Sequence, residues 1–208
     1  HKRWMREATI PTLKQVEQAD WVFVVGEDIQ QSHPRVALSV RQALRQKEVE
    51  LAEQLNVPPW QDGAVKVIGQ QRKLPLFSLQ YSPTKLDDDS TAHLICTPEK
   101  LRHLLTYFAS VLPSATDGGK YVPDKTLSDE ENTYLSLLLN SFLQAEHPLF
   151  ISGWGSKNAT ILEAFVKVMQ AASERVQVHS NACVVSQMLL APNANDVGLL
   201  HLVEPQSQ

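Results

Sequence analysis

The apolar positions of the chain follow two different spacings in turn. Short continuous apolar runs, rich in β-branched and aromatic residues, are typical of strands that are buried on both faces. Between them, longer stretches repeat apolar residues at the spacing of an amphipathic helix. We predict strands at 22–25, 76–79, 150–152 and 176–179, with a further short strand at 92–96. The alternation favours an α/β fold with mainly parallel strands and flanking helices in Rossmann-like units.

Helix boundaries are marked by capping residues. Pro34 stands where the first turn of a helix accepts proline, and Thr97 followed by Pro98 predicts another helix start. Ser128 is a third predicted N-cap, and the acidic residues after it suit the positive end of a helix dipole. Helices are predicted at 12–19, 34–57, 60–71, 97–111, 128–145, 158–173 and 182–190. The helix after Pro34 carries one broad apolar stripe that we expect to face the core: Val36, Leu38, Val40, Ala43, Leu44, Leu51 and Leu55.

A stretch poor in apolar anchors and containing two prolines and two glycines lies at 112–126. Such composition is typical of a linker. We therefore predict a first α/β unit at 1–113, a linker at 114–126 and a second, incomplete α/β unit at 127–208. The part of the linker at 117–123 is expected to be the most protease-sensitive internal segment.

Composition and charge exclude several classes of function. The 208 residues are 43% hydrophobic and 20% charged, as in ordinary globular proteins, and a formal net charge of −4 gives no basic footprint for nucleic acid. The longest apolar stretch, at 135–143, is much shorter than the roughly 20 residues that span a bilayer, so no direct membrane insertion is expected. The beginning of the sequence is interpreted as the cut edge of a larger chain.

Metal chemistry is not predicted. Cys96 and Cys183 lie far apart, and the seven histidines are scattered, without the short spacings of zinc or iron–sulfur ligands. Asp87, Asp88 and Asp89 are adjacent rather than alternating, which favours a solvated loop over a site for a hard cation. We expect no metal site and no catalytic residue in the chain.

The first candidate binding site follows the strand predicted at 22–25. Gly26 ends this strand just before a helix, which is where open α/β sheets receive phosphates and nucleotides. Glu27 and Asp28 place two carboxylates there, although Asp28 could instead accept a hydrogen bond from a ribose hydroxyl or a guanine edge. The alternative is a strand–helix turn that is capped by its own acidic residues.

The second candidate is the turn that contains Gly153, Trp154 and Gly155. It matches part of the G-x-G-x-x-G fingerprint, but Asn158 stands at the third glycine position. A tight turn explains both glycines without a ligand. Trp154 could stack on a base or pack against a neighbouring domain or subunit.

The order of these segments resembles the molybdopterin oxidoreductase superfamily. The matching parts are the segment at 22–28, His33-Pro34, the segments at 76–83 and 86–90, and a loop at 96–100. The family's Pro-Gly-Thr-Asp loop is Thr97-Pro-Glu-Lys100 in this sequence, without the glycine that permits close approach of a cofactor. Asparagines and glycine at 193–198 are similar to another segment of that family.

Within this superfamily, three stretches are most similar to the G subunits of bacterial NADH-quinone oxidoreductase, which is respiratory complex I. They lie at 18–43, at 60–88 and at 148–153 and together span most of the chain, with the linker and the last forty or so residues matching least. The resemblance implies a structural role without a cofactor in this part of the polypeptide, with iron–sulfur clusters in a region further towards the N-terminus. Gly26, Asp28, Gly153 and Gly155 would then be vestigial turns.

The same resemblance implies the surroundings of the protein. The partners would be other subunits of the complex I peripheral arm, and the location would be the cytoplasmic side of the bacterial inner membrane, as a peripheral protein. Two alternatives remain at this stage. One is a part of an active molybdopterin-dependent oxidoreductase such as a formate dehydrogenase, and the other is a nucleotide-binding module.

Overall fold

A computed structural model of the chain describes residues 11–58, 60–69, 74–115, 121–154, 158–179 and 183–191. Its five strands are β1 Trp21–Val25, β2 Leu76–Gln80, β3 Ala92–Ile95, β4 Pro148–Gly153 and β5 Ser186–Leu190. The helices are α1 Leu13–Glu17, α2 Ile29–Ser32, α3 Pro34–Gln54, α4 Asp62–Gly69, α5 Pro98–Val111, α6 Asp129–Phe142 and α7 Ala159–His179. Two short 3-10 turns lie at Asp87–Asp89 and Leu112–Ser114.

The strands form one sheet in the order β3-β2-β1-β4-β5, and every pair of neighbours is parallel. Phe23 lies at the centre of the register, opposite Phe77 on β2 and Phe150 on β4. The predicted α/β class with parallel strands is confirmed. The range 1–113 contributes three strands to this single sheet and the range 127–208 contributes two. The two ranges meet where β1 pairs with β4.

Successive residues of a strand point to opposite faces, so the sheet buries two separate apolar layers. Trp21, Phe23 and Val25 belong to the layer that packs under α5, α6 and α7. Val22 and Val24 belong to the other layer, together with residues of α1, α2 and α3. Both faces of β1 are therefore buried, which explains why its sequence is apolar at every position.

An aromatic cluster centred on Trp21 holds the first layer together. Its ring lies 5.0 Å from that of Phe150 and 5.4 Å from that of Phe142. Its indole N–H donates to the Ser141 hydroxyl at 2.9 Å, so the one polar atom of the side chain is satisfied. The parallel register of β1 and β4, in which Val25 lies opposite Ser152, places the carboxyl ends of the two strands side by side.

The caps predicted for α5 and α6 are confirmed. Thr97 accepts from the Lys100 backbone N–H, and Ser128 forms a reciprocal capping box with Glu131. The apolar side of α5 faces the core through Leu101, Leu104, Leu105 and Phe108.

Two predictions in the last third of the chain were wrong. Residues 176–179, predicted as a strand, form the last turn of α7, because Val176 continues a buried stripe that runs through Val168 and Ala172. The helix predicted at 182–190 is also wrong, because its described part ends in the strand β5, where Met188 and Leu190 point inward. The open edge of β4 supplies hydrogen bonds that make the extended form favourable there.

The apolar stripe predicted on α3 is only partly buried. Val36, Val40 and Ala43 face the core, but Leu38 and Leu55 are mostly exposed. Leu112, just before the predicted linker, is fully buried beneath α5 and α7. The segment 116–120 lies outside the described residues, and so does most of the predicted protease-sensitive site.

Candidate functional site at the carboxyl end of the sheet

All five strands end at the same edge of the sheet because all are parallel. β2 and β3 lie on one side of β1, whereas β4 and β5, which come later in the chain, lie on the other side. The chain direction around the sheet therefore reverses between β1 and β4. Open α/β sheets bind their ligands in the crevice at this reversal point. The two candidate turns, after β1 and after β4, meet there.

Gly26 makes the first turn with a left-handed backbone, at φ 62°. A side chain is strained in that conformation, which explains glycine at this position. The Gly26 N–H donates to the Leu79 carbonyl at 2.9 Å, and its own carbonyl accepts from the Tyr81 hydroxyl at 3.0 Å. Both backbone groups of the turn are thus engaged within the protein.

Asp28 caps the short helix α2. Its carboxylate accepts from the Gln30 N–H at 3.1 Å and from the Gln31 N–H at 3.4 Å. These are the backbone donors that would otherwise face an anion at the helix start. The structure therefore supports the second interpretation of this turn, in which the acidic residues cap it.

Glu27 is 4% exposed, which is unusual for a carboxylate. Its backbone carbonyl accepts from the Gln80 side chain at 3.2 Å. Its side chain runs across to Gly153 on β4. A Cβ atom built on Gly153 would lie 2.7 Å from the carboxyl carbon of Glu27 and 3.1 Å from its Cγ. Gly153 is thus the position whose missing side chain leaves room for Glu27.

Further contacts tie the neighbouring strands together at this edge. The Ser152 hydroxyl donates to the Val25 carbonyl at 2.9 Å, which joins β4 to β1. His33 Nε2 lies 3.0 Å from the Ala191 carbonyl oxygen, which joins the start of α3 to the end of β5. Trp154 is 39% exposed beside this crevice. Gly155, the last of the predicted vestigial residues, lies outside the described residues.

Two carboxylates contribute negative charge among the described side chains of the crevice. Burial raises the pKa of the Tyr81 hydroxyl, and the negative charges of Glu27 and Asp28 raise it further. A phosphate would meet the same two carboxylates at this point. Among the described residues, the hydroxyl groups of Tyr81 and Ser152 hold the ends of neighbouring strands together.

The sequence pointed to Gly26, Asp28 and Gly153 but missed Gln80, Tyr81 and Ser152. Each of these three donates a side-chain hydrogen bond to a carbonyl at or next to the Gly26 turn. The sequence does show polar residues at or near the ends of these mainly apolar strands, and this pattern could have indicated hydrogen bonds at that edge of the sheet. Which partner each would meet depended on the strand order.

The remaining candidate residues lie elsewhere. Cys96 and Cys183 are free, half-buried thiols. Burial, with a contribution from the Glu131 charge, raises the pKa of Cys96 to about 11, so its reactive thiolate is rare at neutral pH. Asp89 pairs with Arg41 at 3.4 Å, and Asp87 accepts from the Thr84 N–H. Across the described ranges, no three or more His, Cys, Asp or Glu side chains are grouped so that they could hold a metal ion.

Within the part of the chain that the structure describes, none of the helices has the length and apolar character that a membrane crossing requires. No family model matches the chain. Comparison with curated proteins gives several relatives that carry one name, the G subunit of NADH-quinone oxidoreductase. The protein of that name from Pseudomonas putida is 34% identical over 194 residues, or 93% of this chain.

Two further relatives agree with this match. The G subunit from Pseudomonas fluorescens is 32% identical over 93% of the chain, and that from Escherichia coli K12 is 31% identical over 94%. In each case the chain spans about 20% of the length of the relative. The resemblance indicated by the motifs is thereby confirmed: nearly the whole chain is similar to one fifth of the G subunit of NADH-quinone oxidoreductase.

Proposed function

We propose that the chain is a structural part of the G subunit of an NADH-quinone oxidoreductase and has no redox centre of its own. It supports electron transfer from NADH to quinone in the peripheral arm of the complex, on the cytoplasmic side of the membrane. The iron–sulfur clusters of the subunit belong to a region outside this chain. Its partners are other subunits of the same complex.

The observation that carries this proposal is the buried Glu27 side chain against Gly153. It lies at the reversal point between β1 and β4, where an open α/β sheet receives a nucleotide or a related cofactor. A carboxylate near a phosphate costs about 1 kcal/mol at a wet surface and more once water is excluded. With Glu27 and Asp28 both present, the crevice repels a pyrophosphate.

The internal contacts of the turn support the same conclusion. A nucleotide site needs backbone donors that are free to face the phosphates. At the described turn, the Gly26 N–H donates to Leu79, and the first donors of α2 donate to Asp28. These donors stabilise the fold itself.

Isothermal titration of the chain with guanosine diphosphate tests the proposal. We expect no saturable binding up to millimolar concentration. Saturable binding in the low micromolar range that Asp28→Ala abolishes would overturn the proposal. Glu17→Gln, which removes an acidic residue outside the crevice, serves as the matched control, since a general charge effect would change its titration equally.

Elemental analysis supplies the second test, on the intact protein purified from its host. We expect iron but no molybdenum. Stoichiometric molybdenum would identify an active molybdopterin enzyme and contradict the proposed structural role.

A further inference from the structure

The helical hairpin formed by α3 and α4 ends in an exposed apolar tip. We define the hairpin tip as residues 55–58, 60 and 61, which lie between the two helices. Leu55 is 63% exposed and Trp60 is 81% exposed. Val67, on the outer side of α4, is 62% exposed. A tryptophan side chain offers roughly 150–250 Å² of contact area, so this one residue presents a large apolar surface to solvent.

The tip is held in place by its own backbone. Asn56 adopts a left-handed conformation at φ 56° and ends α3, while the Val57 N–H donates to the Ala52 carbonyl at 2.8 Å. The Gln61 N–H donates to the Pro58 carbonyl at 3.0 Å. Apolar side chains on a fixed turn lose little conformational freedom on binding, which favours association.

The described residues of the tip are uncharged, and the carboxylate that precedes it most closely on α3 is the exposed side chain of Glu53. The last turn of α3 contains no basic residue, and Glu53 lies in it at the negative end of the helix dipole. A complementary surface would therefore be apolar at its centre and carry lysine or arginine at its rim.

The length of the relatives indicates where such a surface lies. The chain spans about one fifth of each of them, so about four fifths of a G-subunit polypeptide lies outside it. We infer that the hairpin tip docks into an apolar pocket with a basic rim on the remainder of the same polypeptide. This inference rests on the proposed function, and Trp60 is the anchor of the contact.

Thiol labelling tests the inference. Leu55→Cys places a thiol on the tip, and Asn140→Cys places one at an exposed position of α6, where the chain is helical on the other face of the sheet. Maleimide modification of both is followed by peptide mapping, in the 208-residue chain and in the full-length subunit. We expect the thiol from Leu55→Cys to react at least tenfold more slowly in the full-length subunit, whereas the thiol from Asn140→Cys changes less than twofold.

A second variant separates docking from a general effect of chain length. Adding Trp60→Ser to Leu55→Cys should restore labelling at least fivefold, because the anchor is lost. Val122→Ser removes a similarly exposed apolar side chain elsewhere and should restore nothing. Both substitutions lie at exposed positions and are expected to leave the fold intact.

Three results would overturn the inference. Equal labelling of the tip thiol in both proteins shows that the rest of the polypeptide does not cover it. Protection that appears only after other subunits are added assigns the tip to a contact between subunits. Protection in the 208-residue chain that grows with concentration assigns it to a second copy. Nucleotide binding would refute the proposed function without changing these labelling ratios, so the two failures are distinguishable.

Discussion

Gly26 and Gly153 end neighbouring strands at the same edge of the sheet, but glycine is required at the two positions for different reasons. At Gly26 the requirement lies in the backbone, which has a positive φ. At Gly153 it lies in a neighbour, because the Glu27 side chain occupies the space that a Cβ would fill. In sequence, both turns are a glycine at the end of an apolar strand. Only the structure shows that glycine avoids backbone strain at Gly26 and a side-chain clash at Gly153.

A third glycine provides the reference for this comparison. Gly63 lies in the first turn of α4, and a Cβ atom built there meets nothing within 4 Å. Its φ is not in the left-handed region. The stability change caused by Gly153→Ala therefore reports crowding, and that caused by Gly26→Ala reports backbone strain. Gly63→Ala introduces neither.

The largest effect is expected for Gly153→Ala. The new methyl group overlaps the buried Glu27 carboxyl group, so one of the two must move, at a cost of about 2 kcal/mol in the free energy of unfolding. Urea denaturation followed by circular dichroism measures this loss. A change of less than about 0.5 kcal/mol would show that Glu27 moves aside freely.

A double-mutant cycle tests whether Glu27 is the cause. Glu27→Ala makes room for the methyl group, so the double variant should be more stable than the sum of the single effects by at least about 1 kcal/mol. Additive effects would place the crowding at some other neighbour of Gly153.

Gly26→Ala is expected to cost about 1.5 kcal/mol, because alanine at φ 62° is strained. Gly26→Asn should cost clearly less, since asparagine tolerates the left-handed region better than alanine. Glu27→Ala should not relieve the cost of Gly26→Ala, in contrast to its effect at Gly153. Relief of both glycine substitutions by Glu27→Ala would remove the distinction between the two turns.

Asp28→Ala removes the N-cap of α2 and should lower the free energy of unfolding by about 1 kcal/mol. Asp28→Asn retains a capping oxygen and should retain most of the stability. Denaturation of the two variants in parallel checks this. An equal loss in both would mean that the charge of Asp28, rather than the cap, stabilises the turn.

The smallest effect, with the opposite sign, is expected for Gly63→Ala. Alanine restricts the unfolded chain and meets no neighbour in α4, so it should stabilise the protein by about 0.5 kcal/mol. A loss of stability at this site would indicate that α4 packs against a surface that the described residues do not include.

The sequence predicted the centre of the fold better than its later part. β1, β2 and β4 were predicted correctly because each is a short, mainly apolar segment that is buried on both faces and bounded by turn residues. The N-caps Thr97 and Ser128 were also predicted correctly, since capping depends on a few adjacent residues.

The two wrong predictions near the end of the chain, a strand that is helical and a helix that is a strand, have a common cause. The residues at 176–179 alternate like a strand, yet α7 continues through them because its buried stripe continues. The apolar run at 183–190 suits either structure by its pattern, and β5 forms because β4 offers an unpaired edge. Local patterns cannot report a partner that is distant in sequence.

The sequence by itself determined the parallel α/β class, the three central strands, the main helix caps and the resemblance to the G subunits of NADH-quinone oxidoreductase. It also located Gly26, Asp28 and Gly153 as the residues at the ends of the central strands. Only the tertiary structure decided that β1 and β4 are neighbours, and hence that Glu27 lies against Gly153. The physical reason is that secondary structure follows from spacing along the chain, whereas a crevice is formed by residues that more than a hundred positions separate.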